Sequence, residues 1–353
     1  TLAPDQEWCL ACGAAADTEI VEARGWRVPL YLGGALAALA VILAWPVPVL
    51  LGRARWVRRA PAAAMALWQS VALAGGLSLI GFPLLWGLTP FGDTVVEAAP
   101  AFVRALVEGS WVPQLEHDPW LPTRIAAATL ALMLFAHLVL TLAVTAVKTV
   151  ANRRRHRQMV ELLAAPPSER SRLAEGIAGT PTRVLPHDVP LAYCLPGLTG
   201  SLTVLSRGLL DQLSEPEVAA VVAHERAHLR QRHDLLRLAF EAWHRAVAWL
   251  PTTAMAQRAV AGLTEMMADD AALTVHDRRD LVRAIVLTGE ARAPTQPAPA
   301  PPRAANVQGD GSVPLTLRLY RLLSPADPLP VALRLLVVVA AVGLALFPLV
   351  LLL

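Results

Sequence analysis

His224-Glu225-Arg226-Ala227-His228 sets the reading of this chain. Four residues advance an α-helix by about 400°, so both imidazoles leave one face and can share a metal ion, while Glu225 is offset enough to reach an attacking water. The spacing predicts a zinc site of the peptide-hydrolysing kind. Because H-E-x-x-H also arises by chance, a third ligand has to be found. It follows on the next expected helix, in Glu265-Met266-Met267-Ala268-Asp269-Asp270. Glu265 is placed to bind the metal, and Asp269, one turn on, to accept a hydrogen bond from a ligand histidine and fix its tautomer. Their apolar neighbours mark a packed helix rather than a solvated acidic face. Two histidines, one glutamate and an open fourth position describe a catalytic site, not a closed structural one. The expectation is therefore His224, His228 and Glu265 as ligands, Glu225 as general base, Asp269 behind a ligand and Zn²⁺ as cofactor.

Outward from the motif, Ser214 and Glu217 fit a capping box with Pro216 in the first turn, so the helix is expected to start at Ser214, to run through His228 and to extend to Leu250 at the farthest. Pro251 stops it, and Thr253–Thr274 makes the next helix. Upstream, Thr182–Pro186, Pro190–Leu195 and Ser201–Ser206 read as short strands of a small sheet, and Ser168–Ile177 as a short helix after Pro166-Pro167. A peptide substrate is expected to extend along the outermost strand, with Ser201–Ser206 and Pro190–Leu195 both open as that strand. Ala291–Val313 carries five prolines and reads as a linker without a core.

The setting is a membrane. The 353 residues are 55% hydrophobic with a mean hydropathy of +0.47, too apolar for an ordinary soluble protein. Val28–Gly52, Ala60–Gly92, Ile125–Val147 and Leu335–Leu353 contain no Asp, Glu, Lys or Arg, and each can cross about 30 Å of hydrocarbon. Arg53, Arg55, Arg58 and Arg59 follow the first span, and Lys148, Arg153, Arg154, Arg155 and Arg157 the third, so both connections are expected in the cytoplasm. The acid-rich segments 1–26 and 93–123 then fall outside. The net charge of +3 averages segments of opposite sign, and the basic clusters act as topology signals rather than nucleic-acid patches. The first span is too long for a signal peptide and reads as an anchor.

The expected fold is a mainly α membrane protein with a cytoplasmic α+β zincin domain of gluzincin type between spans three and four. Its parts are an outer tail (1–26), three spans with an outer loop at about 93–123 (27–147), the peptidase domain (148–290), a Pro-rich linker with a short helix (291–330) and the fourth span (331–353).

Leu191-Ala192-Tyr193-Cys194-Leu195-Pro196-Gly197 and Leu205-Ser206-Arg207-Gly208-Leu209-Leu210, taken with the two zinc motifs, resemble the BlaR/MecR-type membrane metallopeptidases. The resemblance covers roughly residues 30–353, with its specific motifs in 190–270. It implies a cytoplasmic protease whose activation leads to loss of a transcriptional repressor, with a winged-helix repressor or the protease itself as substrate. The chain ends at Leu353, where that family carries a penicillin-binding sensor, so sensing of beta-lactams is not expected of it. The HtpX and CAAX-prenyl-protease group shares the zinc motifs but places spans between the two zinc helices. Only 36 residues separate His228 from Glu265 here, too few for two spans. A receptor or scaffold with structural zinc is the reading from another class, and it would leave Glu225 idle. The expected partners are the lipid bilayer, a peptide or protein substrate and a second copy of the chain, with no direct contact to nucleic acid.

Other residues promise less. His233 on a continuous helix would stand about 140° from His228, and His276 about 16 Å from Glu265, so neither is expected as a ligand. His137 reads as a packing residue of span three, Cys194 as a packed thiol, and Cys9-x-x-Cys12 as an incidental pair or local disulfide. One lysine against thirty arginines suits a bacterial genome of high GC content.

Overall fold

The computed structural model describes residues 31–92, 94–110, 118–164, 172, 175–176, 179–197, 200–290, 315–324 and 326–352. Cys9 and Cys12, most of the helix expected at Ser168–Ile177 and the linker Ala291–Val313 lie outside them. The described residues fall into two compact units, one drawn from the stretches 31–47, 69–137 and 339–352, the other from 48–68 and 138–338.

Among the described residues four helices are long and apolar enough to cross a membrane: α1 (Tyr31–Arg53), α2 (Pro61–Leu88), α4 (Leu121–Leu163) and α11 (Val331–Leu352). They fall on the four apolar runs of the sequence. At 1.5 Å per residue the 43 residues of α4 extend about 65 Å, twice the hydrocarbon thickness. Its first half carries the apolar run, and its second half carries Arg153, Arg154, Arg155 and Arg157.

In the first unit Gly87 lets α2 and α4 meet closely, since a Cβ there would lie 2.5 Å from the Arg124 carbonyl oxygen. The segment expected as an outer loop contains a helix, α3 (Val95–Glu108), capped by Thr94, whose Oγ1 accepts from the Glu97 N–H at 3.3 Å. Its apolar stripe explains why it folds: Ala98 and Phe102 pack with Leu88 and Ala128, and Phe91 meets Phe102 edge-on at 5.2 Å.

The second unit holds a three-stranded sheet of β1 (Thr182–Leu185), β2 (Ala192–Leu195) and β3 (Leu202–Ser206) in the order β1-β3-β2. β3 is parallel to β1 and antiparallel to β2. Every residue of β3 is buried, as a central strand requires, so Ser201–Ser206 is not an outermost strand and the substrate expectation on it is corrected. Pro190–Leu195 does supply an edge. After β3 the chain turns sharply into α5 (Arg207–Gln212), and Gly208 is needed there because a Cβ would overlap the Asp188 carbonyl.

The helix of the H-E-x-x-H motif, α6 (Glu215–Arg230), begins as expected, with the Ser214 N–H donating to Glu217 Oε2 at 2.7 Å. It ends well before Leu250. Arg232 adopts a left-handed conformation (φ 50°), and a separate helix, α7 (His233–Ala246), starts after it. No proline announces this break. Then come α8 (Pro251–Ala272), α9 (Arg278–Glu290) and α10 (Leu315–Leu323). Ala192 and Leu205 pack with Val218, Val221 and Val222 of α6, which seats the sheet on the motif helix. The second half of α4 lays Val160 against Leu195, Leu202 and Val204, joins His156 to the Tyr193 hydroxyl at 3.0 Å and pairs Arg153 with Asp234 at 2.8 Å.

Candidate metal centre

α6 and α8 bring together the three residues expected as ligands. His224 Nε2 lies 3.2 Å from His228 Nε2 and 3.5 Å from Glu265 Oε2, and His228 Nε2 lies 3.6 Å from Glu265 Oε1. Donors bound tetrahedrally to zinc at 2.0–2.2 Å must stand about 3.3–3.6 Å apart; each of these separations is close to that range, the two histidines facing different oxygens of Glu265. No other group of His, Cys, Asp and Glu among the described residues forms such a cluster.

Proton placement leads to the same fit. His233 Nε2 lies 2.9 Å from Gln231 Oε1, and His233 Nδ1 lies 2.9 Å from His228 Nδ1. If His233 donates to the amide oxygen, its Nδ1 is a lone pair that accepts from His228 Nδ1–H, and the His228 Nε2 lone pair faces the triangle. His224 Nδ1 stands 3.0 Å from Asp269 Oδ1, off the ideal hydrogen-bond line, with no other partner. A proton there again leaves Nε2 bare. In these tautomers the two Nε2 atoms, 3.2 Å apart, both offer lone pairs to a shared cation.

The electrostatics follow from burial and neighbours. Burial opposes charge on His224, yet Asp269 and Glu265 raise its pKa to about 9. His228 lacks such a carboxylate clasp, and burial lowers it to about 3. Burial works against the charged forms of Glu265 and Asp269, but His224 and Arg318 hold both carboxyls well below the usual range. Glu225 is half-buried on α6, next to His224.

Three residues of this network were not foreseen, and the first is Arg237 of α7, whose Nη1 lies 3.8 Å from Glu265 Oε1. His233 joins because the break at Arg232 turns its ring back onto His228, contrary to the continuous-helix expectation that set it aside. Arg318 arrives from α10, beyond the Pro-rich stretch: its Nε lies 3.0 Å from Asp269 Oδ2, its Nη2 2.6 Å from Asp269 Oδ1 and its Nη1 3.1 Å from Glu265 Oε2. The Leu315, Leu319 and Leu322 spacing marks an amphipathic helix, but nothing local names its partner. His276 stays apart from the cluster, and His244 bonds Thr253 Oγ1 at 2.9 Å. Cys194 contacts the Thr203 hydroxyl at 3.4 Å.

Residues 151–289 match the model of peptidase family M48. The M48 segment contains His224, Glu225, His228, Glu265 and Asp269, and it ends before Arg318. The match is to a metallopeptidase family, and four helices among the described residues are long and apolar enough to cross a membrane. Zinc, the usual metal of M48 peptidases, suits the two imidazoles and one carboxylate present. No curated protein matches the chain. Among solved structures, Ste24p of S. mikatae superposes with a TM-score of 0.38 at 14% identity, over 84% of this chain and 98% of that one.

Proposed function

We propose that this protein is an integral-membrane, zinc-dependent endopeptidase that cleaves peptide bonds at the cytoplasmic face of a bacterial plasma membrane. The observation that carries the reading is the convergence of His224 and His228, on the helix that also bears Glu225, with Glu265 of α8, one ligand atom of each lying within 4.8 Å of the others.

His224, His228 and Glu265 hold the metal. A bound zinc ion would polarise the scissile carbonyl and bring the pKa of water near 7. Glu225 takes the proton of the attacking water on its carboxylate and passes it to the leaving amine. β2 presents the peptide. Leu191 is the hydrogen-bonded partner of Ser206, so by the alternation of an antiparallel ladder Tyr193 and Leu195 also bond to β3. Ala192 and Cys194 then turn their N–H and C=O groups toward the free edge, where an extended substrate can pair with them whatever its sequence.

The arginine asymmetry supports a cytoplasmic site with the N-terminus outside. The arrangement of three spans, zinc domain and fourth span, with only α7 between the two zinc helices, supports regulated proteolysis of a repressor, or of the protease itself. A processing or quality-control peptidase of the HtpX/CAAX kind is the second reading, and the M48 match is compatible with it. The two differ in substrate: co-expression with repressors encoded beside the gene should yield a cleaved repressor under the first and none under the second.

Glu225→Gln separates metal from chemistry. It should keep about one zinc per chain and lose proteolysis, whereas Glu265→Ala should lose zinc affinity as well. Full activity in Glu225→Gln would sink the mechanism, and zinc with no proteolysis in the unaltered protein would point to a structural metal.

A further inference from the structure

Arg318 is the most fully committed side chain near the metal centre. Only 13% exposed, it directs all three guanidinium nitrogens to the two carboxylates that α8 presents one turn apart. Like charges at i and i+4 repel, and burial strengthens the repulsion. A planar fork between them removes it and sets their orientation. The guanidinium engages Oε2 of Glu265 at 3.1 Å, while Oε1, the oxygen nearest His228, has only the longer contact of Arg237 Nη1 at 3.8 Å beside it. Through Asp269 it reaches His224 as well.

We propose that Arg318 is a positioning residue of the metal centre: it holds Glu265 and Asp269 where Glu265 and His224 can take zinc, and so makes α10 part of the site. The proposal rests on the zinc reading given above. α10 lies outside the segment matched to M48, yet its seat is extensive. Leu315, Leu319 and Leu322 pack with Ala220, Ala272, Leu281 and Ile285 from α6, α8 and α9. Arg321 adds a second anchor, with Nη2 2.7 Å from Asp270 and Nε 2.9 Å from the Arg58 carbonyl. The two arginines therefore divide the labour: both tie α10 to α8, but Arg318 alone of the two touches the carboxylates that face the metal.

That division supplies the control. Zinc affinity is measured on the full-length, detergent-purified protein by competition with a chromophoric chelator, beside the thermal midpoint of the metal-free protein. Arg318→Ala should weaken zinc binding about 10- to 100-fold, the range seen when a group orienting a metal ligand is removed. Arg318→Lys, which keeps the charge without the fork, should recover only part of the loss. Arg321→Ala should lower the thermal midpoint and leave zinc affinity within about two-fold of the unaltered protein. Unchanged or tighter zinc binding in Arg318→Ala would overturn the proposal, as would equal losses of affinity in Arg318→Ala and Arg321→Ala, which would mean that seating α10 is all that matters. Failure of the unaltered protein to bind zinc would instead remove the function itself, and the proposal with it.

Discussion

His233 Nδ1 lies 2.9 Å from His228 Nδ1, although a continuous helix would have turned these two rings well apart. With His228 donating from Nδ1, the contact leaves its Nε2 lone pair facing His224 and Glu265. His233→Phe keeps the ring volume and removes the acceptor, so His228 can lose its proton from Nδ1 or swing away. Zinc affinity should fall about 10- to 100-fold, read by chelator competition. Affinity equal to that of the unaltered protein would show that His233 only fills space.

Arg232 makes this contact possible by taking a left-handed conformation. A β-branched residue fits that region poorly, so Arg232→Val should destabilise the protein by about 1–2 kcal/mol and weaken zinc binding by displacing His233. Arg232→Gly should be tolerated, because glycine adopts the same φ without a Cβ clash. Denaturant unfolding decides the matter, and equal stability of the two variants would refute it.

Cys194 gives a pH signature away from the ligands. Burial pushes its thiol up to about 11 from an ordinary value of 9.0, with the Thr203 hydroxyl partly opposing. The folded state therefore holds the proton more tightly than the unfolded chain does. The resulting stabilisation, on the order of 2 kcal/mol, is fully present below about pH 9 and lost as pH rises through 11. In a background with Cys9 and Cys12 replaced by serine, alkylation at pH 8 should be slow in the folded protein and fast in urea. Rapid alkylation of the folded protein would contradict the burial argument.

The same burial makes Cys194 a poor reporter of membrane topology, since it would resist a thiol reagent on either side. Thr274 is exposed in the turn that follows α8 and serves better. With Cys194 replaced by serine, an impermeant maleimide on intact cells should label Cys9 or Cys12 and reach the Thr274→Cys thiol only after permeabilisation. Labelling of Thr274→Cys in intact cells would put the metal centre outside.

Local spacing accounts for how much of this was readable in advance. The i, i+4 relation of His224 and His228 and of Glu265 and Asp269, the capping box at Ser214, and the four uncharged runs are properties of neighbours along the chain, so helical periodicity and bilayer thickness suffice to interpret them. Three short strands were legible from their bounding turns. Their order was not, because β1 and β3 pair in parallel across an intervening strand, and no local pattern records which strand lies in the middle. The helix inside the outer loop was missed because its charges were read for topology and its amphipathic stripe was not.

What the sequence by itself determined, then, is which side chains can meet one metal ion and which four runs are long and apolar enough to cross a membrane, since each motif and each run is a pattern within a few turns of its own helix. What only the tertiary structure decided is how those ligands are held. His233 comes into play through one left-handed residue that no proline or glycine announces, and Arg318 through a helix 49 residues beyond Asp269. Such contacts are chosen by burial: two carboxylates and two imidazoles withdrawn from water must find partners wherever the fold supplies them, and the chain distance to those partners carries no local signal.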